Sequence, residues 1–268
     1  MTAPTLNDYE FQYKDSGVLL NEDTASVPFW DVLKIGGLFD YPELDAKELD
    51  MDGKHGSSMY AKYFKSRIVV IEGNLYASVS DFDTTVKAMR TANLPDDTNY
   101  PLYFKTPGQS QLYVLAKSIA FKCDADTGRR IGIGAFQIQL ACEDPRHYLD
   151  SSDVNWTTAT NFSLTNNGNT PVAPTISITA SSTTTANITV QDVTDGGQID
   201  FSVAVTSGQV MVIDMENKLI TLDGTLTPTA ITITGATDWP SVAAGATETW
   251  KVTSNIGNGT ATDKSAWL

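Results

Sequence analysis

Several groups of residues have types and spacings from which chemistry is commonly built, and each carries its own test. Glu48, Asp50 and Asp52 occupy the first, third and fifth positions of a calcium-loop template, with Gly53 at the sixth. The twelfth position, which must supply a bidentate carboxylate, is Met59. A thioether cannot complete that shell, so the segment reads as a plain glycine turn. Gly132 and Gly134 begin a GxGxxG pattern, but no third glycine follows and the segment continues as a strand. A pyrophosphate would have no helix N-terminus to sit on, and the two glycines read as close-packing positions. His55 and His147 are the only histidines, and neither lies in an HExxH or nucleophile-elbow context. Both are expected in solvent or at an interface. Cys123 and Cys142 flank a predicted hairpin without CxxC spacing, and buried thiols are favoured over a disulfide or a zinc site. The 32 acidic residues are spread too evenly to single out the carboxylate pair a glycosidase needs. No enzyme, cofactor or metal site is therefore expected. Trp156, Trp239, Trp250 and Trp267 lie in the last 120 residues. An exposed indole there can stack on a sugar, although burial is the simpler role for any one of them. Trp239 and Trp250 are the candidates for a glycan or partner contact.

The surroundings of these residues change character along the chain. Residues 1–150 hold 15 of the 18 Lys and Arg, both His and both Cys, whereas residues 151–268 hold three Lys, no Arg and 25 Thr. Two domains are expected, 1–150 and 151–268, joined by a short polar linker near residues 150–153. Acidity, by contrast, is shared: the formal charge of −14 divides into −7 for each part. Such a surface is not built to hold nucleic-acid phosphates. No window approaches a membrane span, and the first ten residues lack the basic and apolar regions of a secretory signal. A soluble protein outside the Sec route is expected.

In the first part, residues 10–13 and 18–20 read as a hairpin around a glycine-containing turn, and residues 32–38 as the next strand. Residues 44–63 show no periodicity and read as a long excursion, a feature that in compact proteins is usually functional or held by a partner. Residues 67–72 form a β-branched strand, with 75–79 as its partner across a Gly73-Asn74 turn. A helix follows, with Phe82, Val86, Ala88 and Met89 as its apolar stripe, Ser80 or Asp81 as cap and Pro95 as stop. Residues 102–104, 111–116, 119–123 and 131–142 complete the strands. In the second part, apolar and hydroxyl residues alternate at 175–179, 187–190 and 231–234, the pattern of half-buried strands. About eight of them are expected in a β-sandwich, with 210–214 and 217–222 as the clearest pair. The fold class is thus mainly β with one helix: a sandwich or split-barrel first domain followed by a sandwich.

Six short segments, in this order and spacing, resemble the distal tail (Dit) family of siphophages. They are Phe11-Gln-Tyr13 with residues 18–21, then 32–38, Asp52-Gly-Lys-His-Gly56, Arg67 to Gly73, and 141–148 with its Asp-Pro-x-x-Tyr element. The resemblance implies a structural, non-enzymatic virion component at the tail tip or baseplate. It implies a homohexameric ring that joins the tail tube protein to the hub or tip protein. The tape measure protein and receptor-binding proteins are implied as further neighbours. DNA would pass through the lumen without specific binding, and assembly would take place in the host cytoplasm. It also implies a galectin-like second domain, a docking platform or weak glycan binder. The alternative is a carbohydrate-binding protein of host-surface adhesion.

Overall fold

The computed structural model describes residues 3–14, 17–22, 27–50, 57–124, 128–150, 153–227, 230–235 and 238–268, with backbone alone at 46–50, 57–63 and 150. The chain divides into two compact units, Met1–His147 with Leu268, and Tyr148–Trp267.

The first unit contains β1 (Phe11–Tyr13), β2 (Leu19–Leu20), β3 (Phe29–Gly36), β4 (Leu44–Asp50), β5 (Ser57–Phe64), β6 (Arg67–Tyr76), α1 (Phe82–Ala92), β7 (Tyr100–Phe104), β8 (Leu112–Asp124) and β9 (Ile133–Cys142). Seven strands run in the order β2-β1-β7-β8-β9-β6-β3. The two ends of this sheet approach each other, because the Asn21 N–H donates to the Trp30 carbonyl at 2.7 Å and the Asn21 side-chain oxygen accepts from the Val32 N–H. The result is a split barrel. Alternation along β6 and β9 sends Val69, Ile71, Leu75, Phe136, Ile138 and Leu140 inward. Trp30 packs edge-on against Phe136 and Phe121. Helix α1 presents Phe82 and Met89 to this core, while Ala88 is exposed and Val86 only half-buried, so the apolar stripe is narrower than its spacing predicts. Asp81 takes the N-cap position without a side-chain cap bond. At the other end Asn93 Nδ2 donates to the Met89 carbonyl, and Ser118 Oγ donates to the Asn93 carbonyl.

Two predicted breaks are absent. Residues 67–76 form one continuous strand through Gly73 and Asn74. A Cβ on Gly73 would lie 1.9 Å from the Asp31 carbonyl oxygen and 2.8 Å from the Phe136 ring. The glycine therefore allows a close approach and makes no turn. Residues 111–116 and 119–123 likewise merge into β8, whose bulge between Ser118 and Ala120 bends the strand without ending it. The opening hairpin is present as β1 paired with β2. Strand β3 begins three residues earlier than its apolar run predicts.

Strand β10 (His147–Asp150) carries the chain onward. The second unit contains β11 (Val154–Trp156), β12 (Asn161–Thr165), β13 (Thr175–Thr179), β14 (Thr184–Asp192), β15 (Gln198–Val205), β16 (Val210–Asp214), β17 (Leu219–Leu222), β18 (Thr225–Leu226), β19 (Ile231–Thr234), β20 (Thr247–Ser254), β21 (Gly259–Thr262) and β22 (Lys264–Trp267). Two sheets, β11-β21-β13-β16-β17-β18 and β12-β20-β14-β15-β19, form the sandwich. Its eleven strands exceed the eight expected, because short edge strands leave little periodicity to read. The pair β16 and β17 is present, with β17 starting at Leu219. One residue of every two faces inward, giving a core of Ile176, Ile178, Ile188, Val190, Phe201, Met211, Ile213, Trp250 and Val252.

Candidate assembly surfaces

Strands β4 and β5 pair only with each other among the described residues. Their register runs from Leu44 opposite Phe64 to Asp50 opposite Ser57, with a bulge between Lys47 and Glu48. The segment read from sequence as irregular is thus a β-ribbon with a polar, charged composition. A strand of seven residues spans about 23 Å. An isolated two-stranded ribbon is marginal in water, and each outer edge offers a row of unpaired backbone groups on which another strand can add. Residues 51–56, which hold Asp52 and Gly53 of the calcium-loop template as well as His55, lie outside the described residues.

The root of the ribbon is apolar. Leu44 and Phe64, cross-strand partners, are both exposed. Tyr41 (79% exposed) precedes them, and Leu33 (66% exposed) stands at the bulge where β3 slips against β6. Phe39 is also exposed, its ring edge-on to Phe104 at 5.7 Å. Glu43 and Lys65 tie the two legs of the ribbon through a backbone bond and an ion pair, both 2.8 Å. Leu33, Phe39, Tyr41, Leu44 and Phe64 are thus large apolar side chains left exposed on the single chain, a kind of surface that suits contact with another protein where such side chains cluster.

Beneath that root lies a buried polar node. Arg67, only 4% exposed, donates through Nη1 to the Leu38 carbonyl at 2.6 Å. His147 Nε2 lies 2.9 Å from the same oxygen and donates to it in the tautomer that carries its proton there. Burial, and then the Arg67 charge, pull His147 down to about 4, against the opposing bond to Leu38. The imidazole is neutral at neutral pH and packs edge-on against Phe104. His147 is thus half-buried against the first unit, and with Arg67 it clamps the segment that leads into the ribbon. Sequence reading passed over Arg67, although a lone Arg at the head of a β-branched strand is a visible oddity. Next to it, Asp144 accepts two bonds from Arg146, fixing the Asp-Pro turn.

The thiols are free and inert. Cys142 is buried and pushed up to about 12 by burial, and Cys123 is raised for the same reason. Across the β-ladders Cys123 stands opposite Phe136 and Cys142 opposite Arg67, too far apart along β9 to bond. Gly134 is a close-packing glycine, against the Phe82 ring. Gly132 is close-packing too, since a Cβ there would lie 1.9 Å from the Ala77 carbonyl oxygen, and it also adopts a positive φ at the entrance to β9.

On the second unit, the outward face of β14, β15 and β19 forms an open groove of about 620 Å³, lined by Asn187, Thr189, Asp200, Ser202, Thr232 and Asn255 among others. Thr189 and Gln198 both donate to Asp200, and Ser202 donates to Asn187. Rows of hydroxyl, amide and carboxylate groups of this kind suit a polyol. Neither tryptophan singled out from sequence lines it. Trp250 is wholly buried, because the alternation of β20 sends residues 248, 250, 252 and 254 inward, and it cannot stack on a sugar. Trp239 is half-buried. Trp156 is also core, and Trp267 is half-buried.

Residues 167–263 match a family described as siphovirus-type tail component, C-terminal domain. The fold of nearly the whole chain is similar to the crystal structure of the SPP1 Dit protein, described as a paradigm of the hub adsorption apparatus in phages infecting Gram-positive hosts. The TM-score is 0.63 at 13% identity, covering 98% of this chain and 100% of that one. It is also similar to a chain of the phage P2 baseplate in its activated conformation with Ca (TM-score 0.62, 8% identity, 96% and 97% covered). The same baseplate with Sr gives 0.63, 9% identity, 97% and 98% covered. No curated protein matches the chain.

Proposed function

Because residues 167–263 match the siphovirus-type tail component family and the fold is similar to that of a Dit protein, we propose that this chain is a siphophage distal tail component, six copies of which close into a ring at the distal end of the tail. The ring joins the tail tube protein to the hub or tip protein and offers the second unit as a docking platform. Receptor-binding proteins and the tape measure protein are its further neighbours. The observation that carries this reading is the β4–β5 ribbon, which pairs with no other strand among the described residues and is rooted in exposed Tyr41, Leu44 and Phe64. Rings arise from head-to-tail contacts whose rotation closes, and adding a ribbon edge to a neighbour's sheet is one such contact. A charge of −14 per chain suits a lumen that lets DNA pass without holding it.

The test is the mass and shape of the purified chain. Mass photometry and negative-stain images should show rings of six times 29.0 kDa. Replacing residues 45–63 by a short Gly-Ser link should yield monomers with an unchanged unfolding midpoint. A full-length chain that stays monomeric at high concentration, with no ring in tail particles, would overturn the proposal.

One observation favours a second reading, carbohydrate binding at the host surface: the polar groove around Asp200. Glycan-array binding lost on Asp200→Ala would support it, and Trp239→Ala tests the half-buried indole separately. The two readings combine if a ring displays six weak sites at once.

A further inference from the structure

The alternation that builds the sandwich core is broken at one place. Along β14 the inward positions are Ala186, Ile188, Val190 and Asp192, and along β20 they are Glu248, Trp250, Val252 and Ser254. Asp192 is paired with Trp250 across the ladder, so the two acids stand where the pattern calls for apolar side chains, at the same end of neighbouring strands. They are 2% and 3% exposed. Asp195, in the turn that follows β14, is exposed, and one oxygen of each of the three carboxylates lies within 4.8 Å of the others. Buried carboxylates need a partner for each lone pair or a compensating positive charge.

These do not have one among the described residues. Glu248 Oε1 accepts the Ala243 N–H at 2.7 Å, whereas the buried Oε2 makes no hydrogen bond of normal geometry; the Trp250 indole N–H, itself unpaired, lies close enough only to favour the charged form of Glu248 weakly. Asp192 Oδ1 accepts the Thr194 and Asp195 N–H groups at 2.9 and 3.3 Å. No Lys or Arg forms an ion pair with any of the three. Burial raises both Glu248 and Asp192, and the charges of the neighbouring acids add to it. One oxygen from each carboxylate thus converges on the same place, with Asp195 on the exposed side, and Glu248 keeps a buried oxygen without a hydrogen bond.

We propose that Asp192, Asp195 and Glu248 form a calcium-binding site that pins the β14–β15 turn to β20. All-oxygen donors with an open side fit a hard cation that takes six to eight ligands in flexible geometry and completes its shell with water and main-chain carbonyls. Magnesium, smaller and stricter in geometry, fits less well. Occupancy would neutralise the buried acids and hold the turn 193–197 in place, which makes the end of the second unit rigid only where calcium is present.

The test uses the full-length chain stripped with chelator. Calcium chloride at millimolar concentration should raise the unfolding midpoint of the second unit, and magnesium chloride should raise it less. Terbium should luminesce on excitation of tryptophan, because Trp250 lies beside the site, and calcium should quench that signal by displacement. Asp195→Asn changes an exposed side chain and should fold normally, yet lose at least tenfold in calcium affinity. Glu248→Gln should abolish the shift. The proposal is overturned if neither terbium luminescence nor a calcium-dependent midpoint appears. It is equally overturned if Glu248→Gln stabilises the chain and no cation adds anything, which would mean that Glu248 is simply a protonated core residue.

Discussion

A methyl group at residue 73 would fall 1.9 Å from the Asp31 carbonyl oxygen, so this glycine is required by a neighbouring strand and not by a bend of its own. Residues in this protein often carry such non-local duties. His147 is a second case: burial and then the Arg67 charge keep it neutral, against the opposing bond to the Leu38 carbonyl, and both partners lie far upstream in the chain. The consequence for pH follows from the direction of the shift. An unfolded His147 has the ordinary value of 6.5 and the folded one about 4, so between these values the unfolded chain binds more protons. Its contribution to stability is complete above about pH 6.5 and declines as the pH falls toward 4. The unfolding midpoint of the first unit should therefore drop over that window. His147→Gln, which keeps a donor for Leu38 without a titrating group, should flatten the drop. An unchanged pH profile in that variant would show that carboxylates elsewhere dominate.

Among the elements, the β4–β5 ribbon is the one whose stability is not explained within the chain. Among the described residues its strands pair only with each other, unlike β6 or β8, which are held on both sides. The charged pair Glu43–Lys65 at its root is exposed and screened by solvent, so it adds little to stability. Replacing both Leu44 and Phe64 by Ser should therefore lower the unfolding midpoint by no more than about 2 °C, because two exposed positions together rarely contribute more than about 1 kcal/mol. The same variant should weaken self-association at least tenfold in sedimentation velocity. A midpoint that falls by several degrees would instead place these side chains in the fold of the single chain.

At the scale of the whole molecule, two units of different composition share one electrostatic character. Each part of the sequence carries −7, so copies brought together repel one another at long range, and short-range apolar contact at the ribbon root must overcome that. Screening shortens the repulsion from about 30 Å at 0.01 M salt to about 8 Å at 0.15 M. Assembly should accordingly strengthen with salt, with more rings at 0.3 M sodium chloride than at 0.02 M by mass photometry. Mobility-shift experiments should show no duplex DNA binding at either concentration. Rings that dissolve as salt is added would point to ion pairs as the main contact.

Local pattern alone determined much of this protein. Alternation of apolar and hydroxyl residues marked the sandwich, the 82–92 periodicity marked the helix, and the ordered short motifs resembled the family that residues 167–263 match. These are readings in which a residue's neighbours along the chain decide its role. What only the tertiary structure decided depends on residues distant in sequence. Gly73 proved to be a contact, the 44–64 excursion proved to be a ribbon whose partner strand lies on the other side of its turn, and Trp250 proved to be core because of its phase in β20. The acids at 192, 195 and 248 were lost among 32 others. Their phase with Val190 and Trp250 was present in the sequence, but it acquires meaning only when β14 and β20 are known to be neighbours. Pairing between strands sixty residues apart is set by global packing, and no local propensity encodes it.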